Sequence, residues 1–152
     1  GTLHDKLMEV GTTVVLETVA QIEAGTTNPT VQQSTSELKE APKLNAENTR
    51  IDWAKGVKEI VNFIRGLSPF PVAWSLMVNG EEELNVKFYD AYGETIEHDD
   101  EIGRIITTKK EIKVAVNDGY LYIKELKLPG KRKMHSRDLL NGYRFEKDAQ
   151  FL

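Results

Sequence analysis

Apolar positions recur along this chain with two different periods, and the change of period divides it. Over residues 3–24, Leu3, Leu7, Val10 and Val14 are spaced by four, three and four, and Val15, Val19 and Ile22 continue the stripe one position over. Residues three and four apart share a helix face, so this spacing predicts one amphipathic helix. Thr2 with Asp5 resembles a capping box, and Gly25 suits the left-handed position after a last turn. Residues 26–40 are rich in Thr, Ser, Gln and Asn, contain Pro29 and show no period, which predicts a linker or an extended surface segment. From Ala41 the signals are dense. Asn45 can cap a short turn through Arg50. Val57, Ile60, Val61, Ile64 and Leu67 then fall at i, i+3, i+4, i+7 and i+10, a second helix with one buried face, stopped by Gly66 and Pro69.

Beyond Pro69-Phe70-Pro71, held extended by its prolines, the period shortens to that of strands. Residues 72–78 run to Asn79-Gly80, a hairpin signal, and 84–92 follow. An acidic loop from Gly93 to Glu101 leads to 103–108. Lys109-Lys110-Glu111 turns into 112–117, and Asp118-Gly119 turns again into 120–128. On that last strand Leu121 and Ile123 face one way, with Glu125 a candidate to join them, and Tyr120, Tyr122 and Lys124 face the other. Pro129-Gly130 ends it. Ser136 is placed to cap a short helix over 137–141, closed by Gly142. The fold class expected is mainly β with flanking helices: a five-stranded antiparallel barrel of the oligonucleotide-binding type, preceded by an isolated amphipathic helix. Closure is favoured because a small all-β domain must protect its edges. An open sheet packed by the 57–67 helix is the alternative.

Composition narrows the function classes. With 152 residues and 39% hydrophobic content the chain is too apolar for disorder, and no apolar run is long enough to span a membrane, so no membrane partner is expected. Cysteine is absent, which removes disulfides, thiolate metal sites and a cysteine nucleophile, and suits the cytoplasm. The start, Gly1-Thr2-Leu3, has neither initiator Met nor targeting pattern, so the chain is expected to be a piece of a longer one. The net charge of −4 conceals −4 over 1–40, −6 over 41–102 and +6 over 103–152. A basic last third is where a polyanion partner is to be sought.

A catalytic constellation is not found. His4, His98 and His135 lack a second histidine at metal-ligand spacing. His98-Asp99-Asp100-Glu101 gathers oxygen donors around one imidazole, but a solvated acidic loop is the better reading, and no metal is assigned. There is no glycine-rich phosphate loop and no nucleophile motif. The cluster that carries chemistry is Gly130-Lys131-Arg132-Lys133-Met134-His135, three adjacent cations that could follow a phosphate backbone. Lys109 and Lys110 form a second basic turn, and Tyr120 and Tyr122 could offer stacking surface. The bland alternatives are solvated loops and half-buried sheet tyrosines.

These residues also carry a resemblance. Ala41-Pro42-Lys43-Leu44, Arg50-Ile51-Asp52-Trp53 and the run Ile64-Arg65-Gly66-Leu67-Ser68-Pro69-Phe70-Pro71-Val72-Ala73 resemble the start of the C-terminal domain of methionyl-tRNA formyltransferases. Asp118-Gly119, Leu126, Gly130 to Met134 and Asp138-Leu139-Leu140-Asn141-Gly142 look like its closing signature, and residues 3–25 look like the final helix of that family's catalytic domain. The resemblance implies three parts: residues 1–40 as that helix plus linker, 41–145 as a barrel of the oligonucleotide-binding type that helps hold initiator methionyl-tRNA, and 146–152 as a tail. It implies a partner catalytic domain, N-terminal to this chain, that moves a formyl group from 10-formyltetrahydrofolate to the methionyl amine in translation initiation. No position here matches that family's catalytic Asn, His and Asp, so no catalytic residue is assigned and no cofactor is expected in this fragment, which alone should be inactive. The residues nominated for tRNA are Lys131, Arg132, Lys133, Lys109, Lys110 and Lys127. Trp53, Arg65, Pro69 and Gly130 are nominated as structural, Trp53 as a packing anchor and Arg65 as a partner to a carboxylate. The chain departs from many members at Lys127, where they have Gln, at Val72, where they have Gly, and at Ile102, where they have Pro.

Two other classes compete. A related formyltransferase acting on a nucleotide sugar carries a similar barrel, and there the basic loop would matter little for tRNA. Alternatively the chain is structural or oligomerising, its warrant the apolar stripe of helix 3–24. A bare stripe seeks a partner, either the barrel or a second copy.

Overall fold

The computed structural model describes residues 1–33 and 39–152; residues 34–38, within the linker expected over 26–40, lie outside the described residues. The chain forms two compact units, Gly1–Lys43 and Leu44–Leu152. The first is built on α1 (Thr2–Glu23), close to the span that the spacing predicts. Gly1 occupies its N-cap and no side chain caps it, so the Thr2–Asp5 box does not form. Gly25 adopts φ +66° after its end. The hydroxyls of Thr12 and Thr18 donate to the carbonyls of Met8 and Val14 one turn back, at 2.8 and 2.7 Å, so the helix accommodates threonine without orphan donors. None of its residues is buried. Residues 26–33 and 39–43 form no helix or strand.

The second unit opens with a turn in which Asn45 Oδ1 accepts from the backbone N–H groups of Glu47 and Asn48. Then come α2 (Val57–Leu67), β1 (Ala73–Asn79), β2 (Glu82–Thr95), β3 (Ile105–Thr107), β4 (Ile112–Val116), β5 (Gly119–Lys127), β6 (Met134–His135), α3 (Ser136–Leu140) and β7 (Gln150–Phe151). All pair antiparallel in the order β3-β4-β5-β2-β1-β7, with β6 added to β5. The five expected strands are there, but the sheet has seven. The last residues, expected as a tail, supply the seventh. Phe151 and Gln150 pair with Met77 and Val78 of β1 on one side. On the other, Gln150 bridges Arg104, Phe151 N–H donates to Gly103 O at 2.8 Å, and Ile105 N–H donates to Ala149 O at 2.9 Å. The two edges of the sheet therefore meet through β7, and the sheet is nearly closed. The sequence pattern does not reveal this short strand because two residues carry no period.

Inward and outward positions alternate along β1, and along β5 except at Lys124-Glu125, where the ladder with β2 shifts register. Val86, Phe88, Ile112, Val114, Leu121 and Leu126 point inward, and α2 lays Val57, Ile60, Ile64 and Leu67 on them. Burying each such side chain contributes roughly 1.5–3 kcal/mol. Trp53 is buried against this core, its ring stacked on Phe151 at 5.2 Å and edge-on to Phe88 at 5.7 Å. Its indole N–H donates to Ser75 Oγ at 2.9 Å, and that hydroxyl donates to Leu152 O at 2.7 Å. A buried indole needs such a partner, and this chain of bonds ties the entering segment, β1 and the last residue together.

Two local expectations are corrected, and one departure is explained. Gly93 opens no loop: β2 continues to Thr95. The Val57 methyl of α2 fills the space a Cβ at Gly93 would need, so this glycine marks close helix–strand approach, not a turn. Ser136 does not cap α3; its hydroxyl donates to the carbonyl of Ile123 in β5 at 2.5 Å, and His135 stands at the N-cap. Val72, where the resemblance implies glycine, keeps the conformation a glycine would favour, φ +83°. For a β-branched side chain that is strained by about 1–2 kcal/mol.

Candidate nucleic-acid interface

The nominated cations lie at the end of β5, in the loop that follows it, and in the turn between β3 and β4. Pro129-Gly130 makes a turn closed by Lys131 N–H donating to Leu128 O at 3.1 Å, with Gly130 at φ +71°. A positive φ at the third position after proline at the second is what glycine permits there. Lys131, Arg132 and Lys133 follow, all exposed. Lys133 is not free: its Nζ lies 2.9 Å from Glu125 Oε2 and 5.4 Å from the Tyr89 ring centroid. Lys131 and Arg132 make no ion pair among the described residues. The other turn is held by Thr108, whose hydroxyl accepts from the N–H groups of Lys110 and Glu111. It leaves Lys109 and Lys110 exposed and, among the described residues, without an ion pair. Lys127 ends β5, half-buried, directly opposite Lys87 of β2.

The fold sets one of them, Lys110, beside basic residues outside the nominated set. A cleft of about 500 Å³ over the middle of β5 is lined by Lys110 from one turn and by His135 and Arg137 from the other side, with Lys124 and the rings of Tyr92 and Tyr122 on its floor. Antiparallel pairing explains the meeting, since Ile112 sits opposite Ile123 while β6 pairs Glu125 with His135. Lys109, Lys127 and the 131–133 loop do not line it. Sequence reasoning misses Tyr92, Lys124 and Arg137 as members of this surface. Strand alternation puts Lys124 on the outward face with Tyr122, which is the available signal; Tyr92 joins only through the β2–β5 register.

The tyrosines are less available than the strand pattern suggests. Tyr92 and Tyr122 stack on one another, 4.8 Å apart and 9° from parallel, and their hydroxyls donate to Glu111 and Glu94. Desolvation, then these carboxylates, raise both phenols above the ordinary tyrosine range. Tyr120 is covered on its ring by His98 at 4.5 Å and by the Lys113 ammonium at 3.5 Å. Its hydroxyl donates to Asp100 Oδ2 at 2.5 Å, and this bond above all pushes its pKa up to about 12. Tyr120 is therefore a latch on the acidic loop, not a stacking surface.

The acidic loop itself is organised around its histidine. His98 Nε2–H donates to the carbonyls of Val116 and Gly119 at 2.8 and 2.9 Å, and Nδ1 accepts from Asp100 N–H. The imidazole clips the loop onto the β4–β5 turn. Among the described residues no three His, Asp or Glu side chains gather as a metal site. Of the structural nominations, Trp53 lies in the core. Arg65 is exposed and donates to Asn62 Oδ1 at 2.9 Å, so the expected carboxylate partner is replaced by an amide one turn back. Pro69 is exposed beyond α2.

Comparison with known proteins fits this geometry. The family model described as formyl transferase, C-terminal domain, matches residues 43–144. The methionyl-tRNA formyltransferase of Flavobacterium psychrophilum is 46% identical over 149 residues, covering 98% of this chain and 47% of that protein. The enzymes of the same name from Flavobacterium johnsoniae and Bacteroides thetaiotaomicron are 45% and 44% identical, covering 99% and 93% of this chain and 48% and 46% of theirs. The chain thus spans about half the length of these relatives. Among solved structures, a variant of HypX from Aquifex aeolicus superposes with a TM-score of 0.58 at 26% identity, covering 87% of this chain and 24% of that one. HypX in complex with tetrahydrofolic acid gives 0.57 at 25% identity, covering 87% and 23%. Among the described residues no helix is long and apolar enough to cross a membrane.

Proposed function

Because the chain belongs to the family of formyl transferase C-terminal domains, we propose that it is the tRNA-holding end of a methionyl-tRNA formyltransferase. In this reading the barrel is of the oligonucleotide-binding type and grips initiator methionyl-tRNA in the cytoplasm. A catalytic domain, in the part of the relatives that this chain does not span, transfers the formyl group from 10-formyltetrahydrofolate to the methionyl amine. Residues 1–40 are assigned to the last helix of that domain and its linker. The tRNA-binding domain runs from residue 41, and we add residues 146–152 to it because β7 is part of the sheet. The apolar stripe of α1, with Leu7, Val14 and Val19 about half exposed or more, is read as packing surface for the catalytic domain or for a second copy.

The observation that carries this reading is the 46% identity extending over 98% of the chain. The surface chemistry agrees with it. Lys131, Arg132, Lys109 and Lys110 are exposed cations, without ion pairs among the described residues, on two turns braced by a nearly closed sheet, so they can neutralise phosphates at little ordering cost. The test is titration of the chain with initiator tRNA at several salt concentrations. When Lys131 or Arg132 becomes Ala, the log–log slope should flatten by roughly 0.7–0.9 for each phosphate that is no longer neutralised. Lys133→Ala should change less, because Glu125 already holds that ammonium. Binding indifferent to salt and to these substitutions overturns the reading.

A further inference from the structure

Two like-charge pairs lie face to face across β2 and β5, and only one of them is compensated. Asp90 stands opposite Glu125, and Lys87 stands opposite Lys127. Like charges directly opposite destabilise a sheet. The acidic pair is relieved: Lys124 lies 3.5 Å from Asp90, and Lys133 lies 2.9 Å from Glu125. Lys87 and Lys127 have no ion pair among the described residues.

The uncompensated pair is part of a longer row. Trp74 of β1 is opposite Lys87, and Arg50 bridges Trp74, its guanidinium 5.6 Å from the ring centroid. Trp74, Lys87 and Lys127 each sit between two buried neighbours, Ala73 and Ser75, Val86 and Phe88, Leu126 and Leu128, so all three face outward. Arg50 and Lys87 are exposed, and Trp74 and Lys127 are half-buried. With strands about 4.8 Å apart, Trp74 and Lys127 lie about 10 Å from each other across the sheet. β6 pairs Leu126 with Met134, and Lys127 and Lys133 each lie one residue beyond that last pair, where the 131–133 loop begins. The row therefore runs from Arg50 across three strands into the 131–133 loop.

We propose that Arg50, Lys87 and Lys127, with Trp74 among them, form a phosphate-binding track for RNA on the outer face of the barrel, continuous with the 131–133 loop. Three cations in line with an indole, with Trp74, Lys87 and Lys127 held on paired strands, match a polyanion with a regular charge spacing better than a single small anion. The track rests on the RNA-binding reading above.

The experiment uses tRNA as the probe and the whole chain. Lys87→Ala and Lys127→Gln should each weaken binding roughly fivefold at 0.15 M salt, since neutralising one phosphate contributes about 0.9 log units per decade of salt below 1 M. Neither should lower the melting temperature, because each removes the repulsion. The chain has two tryptophans, and Trp53 is buried, so the fluorescence change on adding tRNA should come from Trp74 and vanish in Trp74→Phe. If Lys131→Ala and Arg132→Ala weaken binding while the row substitutions and the Trp74 signal do not respond, the track is overturned and the RNA reading stands. If the unaltered chain does not bind tRNA, both fall.

Discussion

The strands of this nearly closed sheet present two faces of different chemistry. Inward, Val86, Phe88, Val114, Leu121 and their neighbours close on Trp53 and Phe151. Outward, residues one position away on the same strands form a surface of lysines, carboxylates and stacked tyrosines. Among the described residues no buried side-chain nitrogen or oxygen lacks a partner, so the inner face is fully satisfied. The outer face leaves Lys87 against Lys127, with no ion pair among the described residues to offset them. Under the proposed function, the contrast assigns stability to the inward positions and recognition to the alternate, outward ones. A substitution on one face should change one property and spare the other, and that separation can be attacked directly.

The largest effect should come from the inner face. Trp53→Ala removes a ring packed on Phe88 and Phe151 and the donor to Ser75. Equilibrium unfolding should show a loss of about 3–5 kcal/mol, while the salt dependence of tRNA binding by the folded fraction stays as before. An unchanged denaturation midpoint would break the comparison at its root. Next is Asp118, whose Oδ1 accepts from the Val57 N–H at 2.7 Å and so caps α2 from the β4–β5 turn. Asp118→Ala should cost about 1 kcal/mol in thermal or chemical unfolding, with Asp118→Asn retaining most of it.

Smaller changes sharpen the outer side. Glu125→Gln releases Lys133 and His135 from the carboxylate. Exposed pairs contribute about 0–1 kcal/mol, so stability should hardly move, whereas tRNA affinity measured by filter retention should rise severalfold. Unaltered affinity would argue that Lys133 faces no phosphate. The smallest is spectroscopic. The Tyr120 phenol donates to Asp100 and ionises near 12, above its value of 10 when unfolded. Its contribution to stability is thus present below pH 10 and is lost as pH rises through about 12. Absorbance at 295 nm should show a late tyrosinate step that disappears in Tyr120→Phe, and the stability difference between the two proteins should shrink over that window.

Periodicity alone places α2 and the five longer strands to within a few residues, because a buried face must repeat every 3.6 or every two positions. It cannot place β7: two residues of strand leave no repeat, and Phe151 reads as strand only once β1 and the Gly103 backbone are seen beside it. Gly93 reads as a turn residue because glycine marks both turns and close approaches, and only the position of Val57 separates the two. The basic loop is visible as a run of cations. That Glu125 neutralises one of them, and that Lys110 and Arg137 share a cleft, depends on register.

Residue order was thus sufficient for what is local: the helices, most of the strands, the outward lysines and the charge that turns positive in the last third. It was also sufficient for kinship, since the motif order points to the family that residues 43–144 match. Closure of the sheet, the cap that Asp118 supplies from 61 residues away, and the alignment of Arg50, Trp74, Lys87 and Lys127 were decided only in three dimensions. Each joins positions far apart in the chain. Their meeting depends on strand order and register, which the pairing of whole strands sets and no local pattern encodes.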